Sequence, residues 1–223
     1  MRDAVQRQQE FPDTAIGEPD IGAEKRGAPR FTLLIRTAKL ITQAGEFLVV
    51  VRDASESGAN VRIFHELPDC AGDKLLELQN GDRHPLELVW QDADRAGVRF
   101  LDGADIGRII ESPSRFSKRP IRVGVDCPAQ LSSLTDTAEA FLHDLSQQGA
   151  KVSTAHRFSI DQRVRLKAPG LPEIDTKVRW RRDDCHGLVF EDTFQFGDLA
   201  RIVFAMQNGG VTSPGARVRL TGS

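Results

Sequence analysis

The 223-residue chain predicts an all-β protein: two tandem small antiparallel β-barrels, each followed by a short α-helix, with disordered N- and C-terminal tails. Three observations point there. Apolar residues alternate with period two over short runs separated by turn formers, the pattern of strands buried on one face. The plan then occurs a second time. The two tryptophans, Trp90 and Trp180, are followed at matching distances by Gly97 and Phe100 and by Gly187 and Phe190. A shift of about 90 residues also lays Asp53, Ser55 and Gly58 over Asp144, Ser146 and Gly149, which marks a tandem duplication. Finally, each half closes on a short stripe at helical spacing: Ile106, Ile109 and Ile110, then Leu199, Ile202, Val203 and Met206 with Asp198 near the start.

Taken in order, residues 1–25 are polar, contain Pro and Gly, and lack a sustained apolar period, so they read as a mobile tail. The first barrel spans residues 26–110, with alternations at Leu33/Ile35, Val61/Ile63, Leu76/Leu78, Leu86/Leu88/Trp90 and Val98/Phe100. The second spans 115–207, with Val123/Val125, Ala129/Leu131, Ala150/Val152, Val164/Leu166, Val178/Trp180 and Leu188/Phe190. Both tryptophans continue an apolar alternation, which reads as core anchoring. Only Glu111 to Ser114 separates the halves, so the barrels are expected to touch or nearly touch. Residues 208–223 are rich in Gly, Ser and Thr and read as a flexible tail.

Composition narrows the function. Apolar runs such as Phe47 to Val51 fall far short of the roughly 18 residues of a membrane span, and the first residues lack the apolar stretch of a secretory signal. A cytoplasmic location is expected. Cys70, Cys127 and Cys185 are isolated, which fits neither a disulfide framework nor a zinc site, and Cys185 beside His186 has no second ligand pair. A net charge of −2 gives no global pull toward nucleic acid, and the 6% aromatic content, without tyrosine, argues against stacking platforms for single strands. His143, Asp144 and Ser146 are too close in sequence for a hydrolase triad. No enzymatic motif is present, and neither a cofactor nor a metal is expected. His65, His84 and His156 read as surface or turn histidines.

The motif that carries chemistry is D-x-S-x-x-G, at Asp53, Ser55 and Gly58 and again at Asp144, Ser146 and Gly149. One chance match in such a chain is expected roughly 0.1 times, and two at equivalent repeat positions far less often. The same residues suit a tight strand-to-strand turn, since Asp and Ser bond nearby backbone and Gly permits unusual geometry. Ahead of each motif lies an arginine pair spaced R-x-x-x-R: Arg26 and Arg30, then Arg115 and Arg119, with Lys118 and Arg122 close by.

Together these features resemble the PilZ family, bacterial receptors for the second messenger cyclic di-GMP, whose pattern is an R-x-x-x-R segment before a small β-barrel carrying [D/N]-x-S-x-x-G. The resemblance covers both halves and leaves only the tails outside. It implies a receptor for cyclic di-GMP, with Arg26 and Arg30 clamping phosphate and guanine while Asp53, Ser55 and Gly58 hold the ligand from the barrel. Arg115, Arg119, Asp144, Ser146 and Gly149 would do likewise in the second half. Arg122, however, directly precedes the strand start at Val123, where the family commonly places its second arginine, and on that register the pair is Lys118 and Arg122. Lys lacks the planar fork, so the first site reads as the more complete. The chemistry agrees: an Arg fork matches guanine O6 and N7 and phosphate, and a carboxylate accepts from guanine N1 and N2. Ordering of the arginine arm would then signal to a protein partner. The rival expectation is an interaction scaffold that has lost the ligand; a tandem barrel for single-stranded nucleic acid is the third.

Overall fold

The structure is a computed structural model in which residues 31–69, 71–111, 120–209 and 220–221 are described. The first barrel is built from β1 (Phe31–Thr42), β2 (Gly45–Ser55), β3 (Gly58–Arg62), β4 (Lys74–Leu78), β5 (Arg83–Asp92) and β6 (Arg95–Phe100), followed by α1 (Ile106–Glu111). The second contains β7 (Val123–Ser132), β8 (Thr137–Ser146), β9 (Gly149–Ser153), β10 (Arg163–Lys167), β11 (Ile174–Arg182) and β12 (Cys185–Phe190). A two-residue β13 (Thr193–Phe194), α2 (Phe196–Gln207) and β14 (Leu220–Thr221) complete the chain. Both barrels close with the same order, β1-β2-β3-β6-β5-β4 and β7-β8-β9-β12-β11-β10. The duplication read from the sequence is therefore a duplication of topology. Leu220 and Thr221, inside the segment expected to be a tail, pair with Phe194 and Thr193.

Each barrel is filled by the inward residues of its alternations. Phe47, Val49, Val51, Val61, Leu76 and Leu86 form the first core, and Ile109 of α1 seals it at 1% exposure. Leu131, Leu142, Leu145, Val152, Leu166 and Val178 form the second, closed by Leu199 and Val203 of α2. The longest break in period two is in one strand. In β2 five consecutive residues, Phe47 to Val51, are buried. One of its outward residues, Leu48, belongs to the core of the second barrel.

The barrels thus pack directly on one another, and α2 provides much of the contact. Its Phe204 ring stacks on His65 of the first barrel, with centroids 3.9 Å apart, and lies 6.1 Å from Phe47. Phe196 meets Phe64 edge-on, and the Arg201 guanidinium lies over the Phe64 ring. His65 is accordingly an interface residue rather than a surface one. Burial pushes its imidazole below the ordinary range, against a bond to the Glu66 carbonyl that raises it.

The tryptophans are not core anchors. Trp90 is 45% and Trp180 38% exposed. A β-bulge explains both: the pairing of β5 with β6 slips between Leu88 and Trp90, and that of β11 with β12 slips between Val178 and Trp180. One extra residue turns the following side chain to the outer face, where each indole lies against a glycine, Gly97 or Gly187, with no space for a Cβ.

Candidate functional site

In both copies the D-x-S-x-x-G motif forms a two-residue hairpin turn. Ser55 pairs with Gly58 at the end of β2 and β3, and Ser146 with Gly149 at the end of β8 and β9. The serines are buried, and their hydroxyls donate to the Gly58 and Gly149 carbonyls at 3.3 and 3.1 Å. The glycines are required by the neighbouring strand: a Cβ at Gly58 would meet the Val98 carbonyl oxygen, and one at Gly149 the Leu188 carbonyl oxygen, inside the 3.0 Å that Cβ atoms keep. The serine and glycine of each motif are thus engaged in shaping the turn.

The aspartates have a different setting. Each stands one step back from the turn, at a bulge, and heads a row that runs across the barrel's outer face. In the first copy the row is Asp53, Asn60, Gly97 and Trp90; in the second it is Asp144, Lys151, Gly187 and Trp180. Asp144 also pairs in register with Gly124 of β7, two residues after Arg122. This juxtaposition lets Arg122 reach across, and its guanidinium donates to the Asp144 carboxylate at 2.9 Å with side chains 46% and 22% exposed. Lys151 and Trp180 are functional candidates that sequence reasoning missed, because a cross-strand row becomes visible only once the register is known.

Arg26, Arg30, Arg115 and Arg119 lie outside the described residues, as does Lys118. The strand starts still fix the correspondence between copies. Arg30 immediately precedes β1 and Arg122 immediately precedes β7; Phe31 pairs with Ala54 as Val123 pairs with Leu145. The counterpart of the pair Arg26 and Arg30 is therefore Lys118 and Arg122. Beside this face, His143 lies 2.9 Å from the Ser153 hydroxyl and 3.6 Å from the Asp126 carboxylate. Among the described residues no cluster of His, Cys, Asp or Glu is arranged to hold a metal, and His186 beside Cys185 is buried, with Nδ1 on the Asp184 carbonyl.

Residues 113–205 match the PilZ domain family. The second barrel is a PilZ domain. This PilZ domain contains Arg122, Asp144, Lys151 and Trp180, and the preceding barrel shares its topology. No curated protein matches the sequence. Among solved structures, the chain is similar to PlzA of Borreliella burgdorferi in complex with c-di-GMP, at 14% identity and a TM-score of 0.31, covering 82% of this chain and 96% of that one. It is similar to the Bacillus subtilis inhibitor of motility MotI/DgrA at 12% identity and a TM-score of 0.35, covering 79% and 99%. A third similarity is to YcgR of Escherichia coli in complex with c-di-GMP, at 12% identity and a TM-score of 0.33, covering 78% and 84%. No helix among the described residues is long and apolar enough to cross a membrane.

Proposed function

We propose that the protein is a non-enzymatic receptor that binds cyclic di-GMP on the outer face of its PilZ domain and relays binding to a protein partner through a change in conformation. The observation that carries this reading is the Arg122 and Asp144 pair at the head of a row continued by Lys151 and the half-exposed Trp180. An exposed ion pair contributes roughly 0 to 1 kcal/mol, whereas a good bidentate contact to guanine is worth about 1 to 3 kcal/mol, so a ligand can exchange the one for the other at a net gain. Asp144 then accepts from guanine N1 and N2, Arg122 and Lys151 meet Hoogsteen or phosphate oxygens, and the Trp180 indole offers a stacking face. Arg115, Arg119 and Lys118, on the segment leading into β7, supply further positive charge for the two phosphates. Ser146 and Gly149 serve by holding the turn that sets Asp144. The ranking that favoured the first copy is reversed here, because the family match falls on the second; Arg26, Arg30, Asp53, Ser55 and Gly58 remain a proposed second site.

A scaffold reading has one observation in its favour: the motif's serine and glycine are accounted for by turn geometry without any ligand. Isothermal titration with cyclic di-GMP separates the two. Micromolar or tighter binding, about −8 kcal/mol or better, that is weakened about tenfold or more but still measurable in Arg122→Ala and Asp144→Ala and unchanged in Asp53→Ala supports the receptor at the PilZ domain. Loss in Asp53→Ala alone would move the site to the first barrel, and no heat from the wild type would leave the scaffold.

A further inference from the structure

The segment that delivers Arg122 is gripped from outside its own barrel. Lys39 of β1 is buried, at 7% exposure, and its ammonium has three donors and three acceptors: Glu46 at 3.1 Å, Glu77 at 3.4 Å and the backbone carbonyl of Arg122 at 3.1 Å. Two residues further on, the Gly124 amide donates to the other oxygen of the Glu46 carboxylate at 2.8 Å. The Gly124 carbonyl accepts from the side-chain amide of Gln207, the last residue of α2, at 2.7 Å, and that same side chain accepts from the Glu46 amide at 3.2 Å. The chain on both sides of Val123 is thereby held by the first barrel and by α2. Gly124 is the residue that stands opposite Asp144 in the pairing of β7 with β8.

We propose that Lys39, Glu46 and Gln207 are positioning residues for the ligand site of the PilZ domain: they act through the backbone of Arg122 and Gly124 to aim the Arg122 guanidinium at Asp144, so the first barrel is part of the second barrel's binding apparatus. The inference rests on the receptor reading above. Backbone hydrogen bonds are the means, because they fix where a side chain begins without occupying the groups that meet ligand. Glu46 is the central element, since its carboxylate bridges the buried ammonium and the Gly124 amide. The linkage is reciprocal: a ligand that fixes Arg122 must also favour the gripped arrangement of β7.

The test is a double-mutant cycle on the full chain, titrated with cyclic di-GMP: wild type, Glu46→Ala, Arg122→Ala and the double variant. Glu46→Ala is expected to weaken binding about fivefold or more, and the double variant to bind no more weakly than Arg122→Ala alone, since Glu46 acts only through the arginine. A purely architectural role would instead make the two losses multiply. Gln207→Ala, which leaves the buried ion cluster intact, repeats the cycle if Glu46→Ala does not fold. Wild-type affinity in Glu46→Ala and Gln207→Ala, or multiplying losses, overturns the positioning role while leaving the receptor intact. A silent wild type overturns the receptor reading itself and the inference with it.

Discussion

Replacing Gly149 by alanine tests the claim that the motif glycine serves the barrel. The backbone of β9 passes so close to β12 that a Cβ at Gly149 would overlap the Leu188 carbonyl oxygen, with the Leu188 carbon at 3.4 Å and the Val189 Cα at 3.6 Å. Backbone, unlike the tip of a side chain, cannot rotate away, so the strands must separate by roughly 1 Å in a close-packed wall. β9 has only five residues, and Gly149 pairs with both Ser146 and Val189. Overpacking of this kind costs about 1 to 3 kcal/mol, and the gain from replacing Gly within a strand returns only about 0.5 to 1 kcal/mol. A net loss near 1 to 2 kcal/mol lowers Tm by roughly 2 to 8 °C for a chain of this size. The assay is thermal unfolding followed by circular dichroism, with Gly58→Ala expected to behave alike because its Cβ meets the Val98 carbonyl oxygen. Gly187→Ala is the control: the nearest atoms its added methyl meets belong to the Trp180 side chain, which is partly exposed and can swing out. If Gly149→Ala unfolds at the wild-type temperature, the close approach of β9 and β12 is not what demands the glycine.

Three further outcomes follow from the same geometry. Phe204→Ala removes the ring stacked on His65 and packed near Phe47, should cost about 2 kcal/mol for a partly buried aromatic, and is expected to split one calorimetric transition into two as the barrels uncouple; an unchanged single transition refutes the role of α2 as the joint. Burial holds the imidazoles of His65, His84 and His186 below the usual value of 6.5, so the unfolded chain takes up more protons than the folded one as pH falls below that value. Stability should therefore be full above pH 6.5 and decline as pH falls through the depressed folded values, and a Tm that is flat or rises on acidification refutes the assignment. In a Trp90→Phe background, cyclic di-GMP should quench the emission of Trp180, whereas Gly187→Ala, by displacing the indole, should shift that emission to the red before any ligand is added; an emission blind to both dissociates Trp180 from this face.

The parts of the fold that obey a simple period were legible. Leu76/Leu78, Val98/Phe100 and Val164/Leu166 alternate as read, and the repeat of Asp, Ser, Gly and Trp positions marked the duplication that the strand order bears out. The failures have one physical origin, which is that period two assumes an uninterrupted ladder with one open face. At Val89 and Arg179 an extra residue breaks the ladder, so Trp90 and Trp180 emerge on the face opposite to that which Leu88 and Val178 suggest. At Leu48 the open face is covered by another barrel, so the run from Phe47 to Val51 looks uniformly apolar rather than alternating. At the site, the motif announced its aspartate but not the tasks of its serine and glycine. The neighbours Lys151 and Trp180, and the grip of Lys39 and Glu46, depend on register and packing that no local pattern encodes.

The two copies separate what the barrel needs from what a ligand needs. Each retains the serine-to-carbonyl bond, the glycine beneath a neighbouring carbonyl, and the indole lying on a glycine. These features serve folding, so their presence in both halves says little about binding in either. The difference lies beside the aspartates. Asp53 shares its row with Asn60, whose side-chain oxygen is buried without a hydrogen-bond partner among the described residues, whereas Asp144 shares its row with the cationic Lys151. On the proposed reading, the added cation at Lys151 suits a ligand with two phosphates. The junction is unequal as well: Leu48 of the first barrel is buried in the core of the second, and Lys39 and Glu46 of the first hold the strand that leads out of Arg122. Duplication supplied two similar walls, and the packing of the first against the strand start of the second is the physical route by which, on the proposed reading, an anion bound at the second copy would be felt by both.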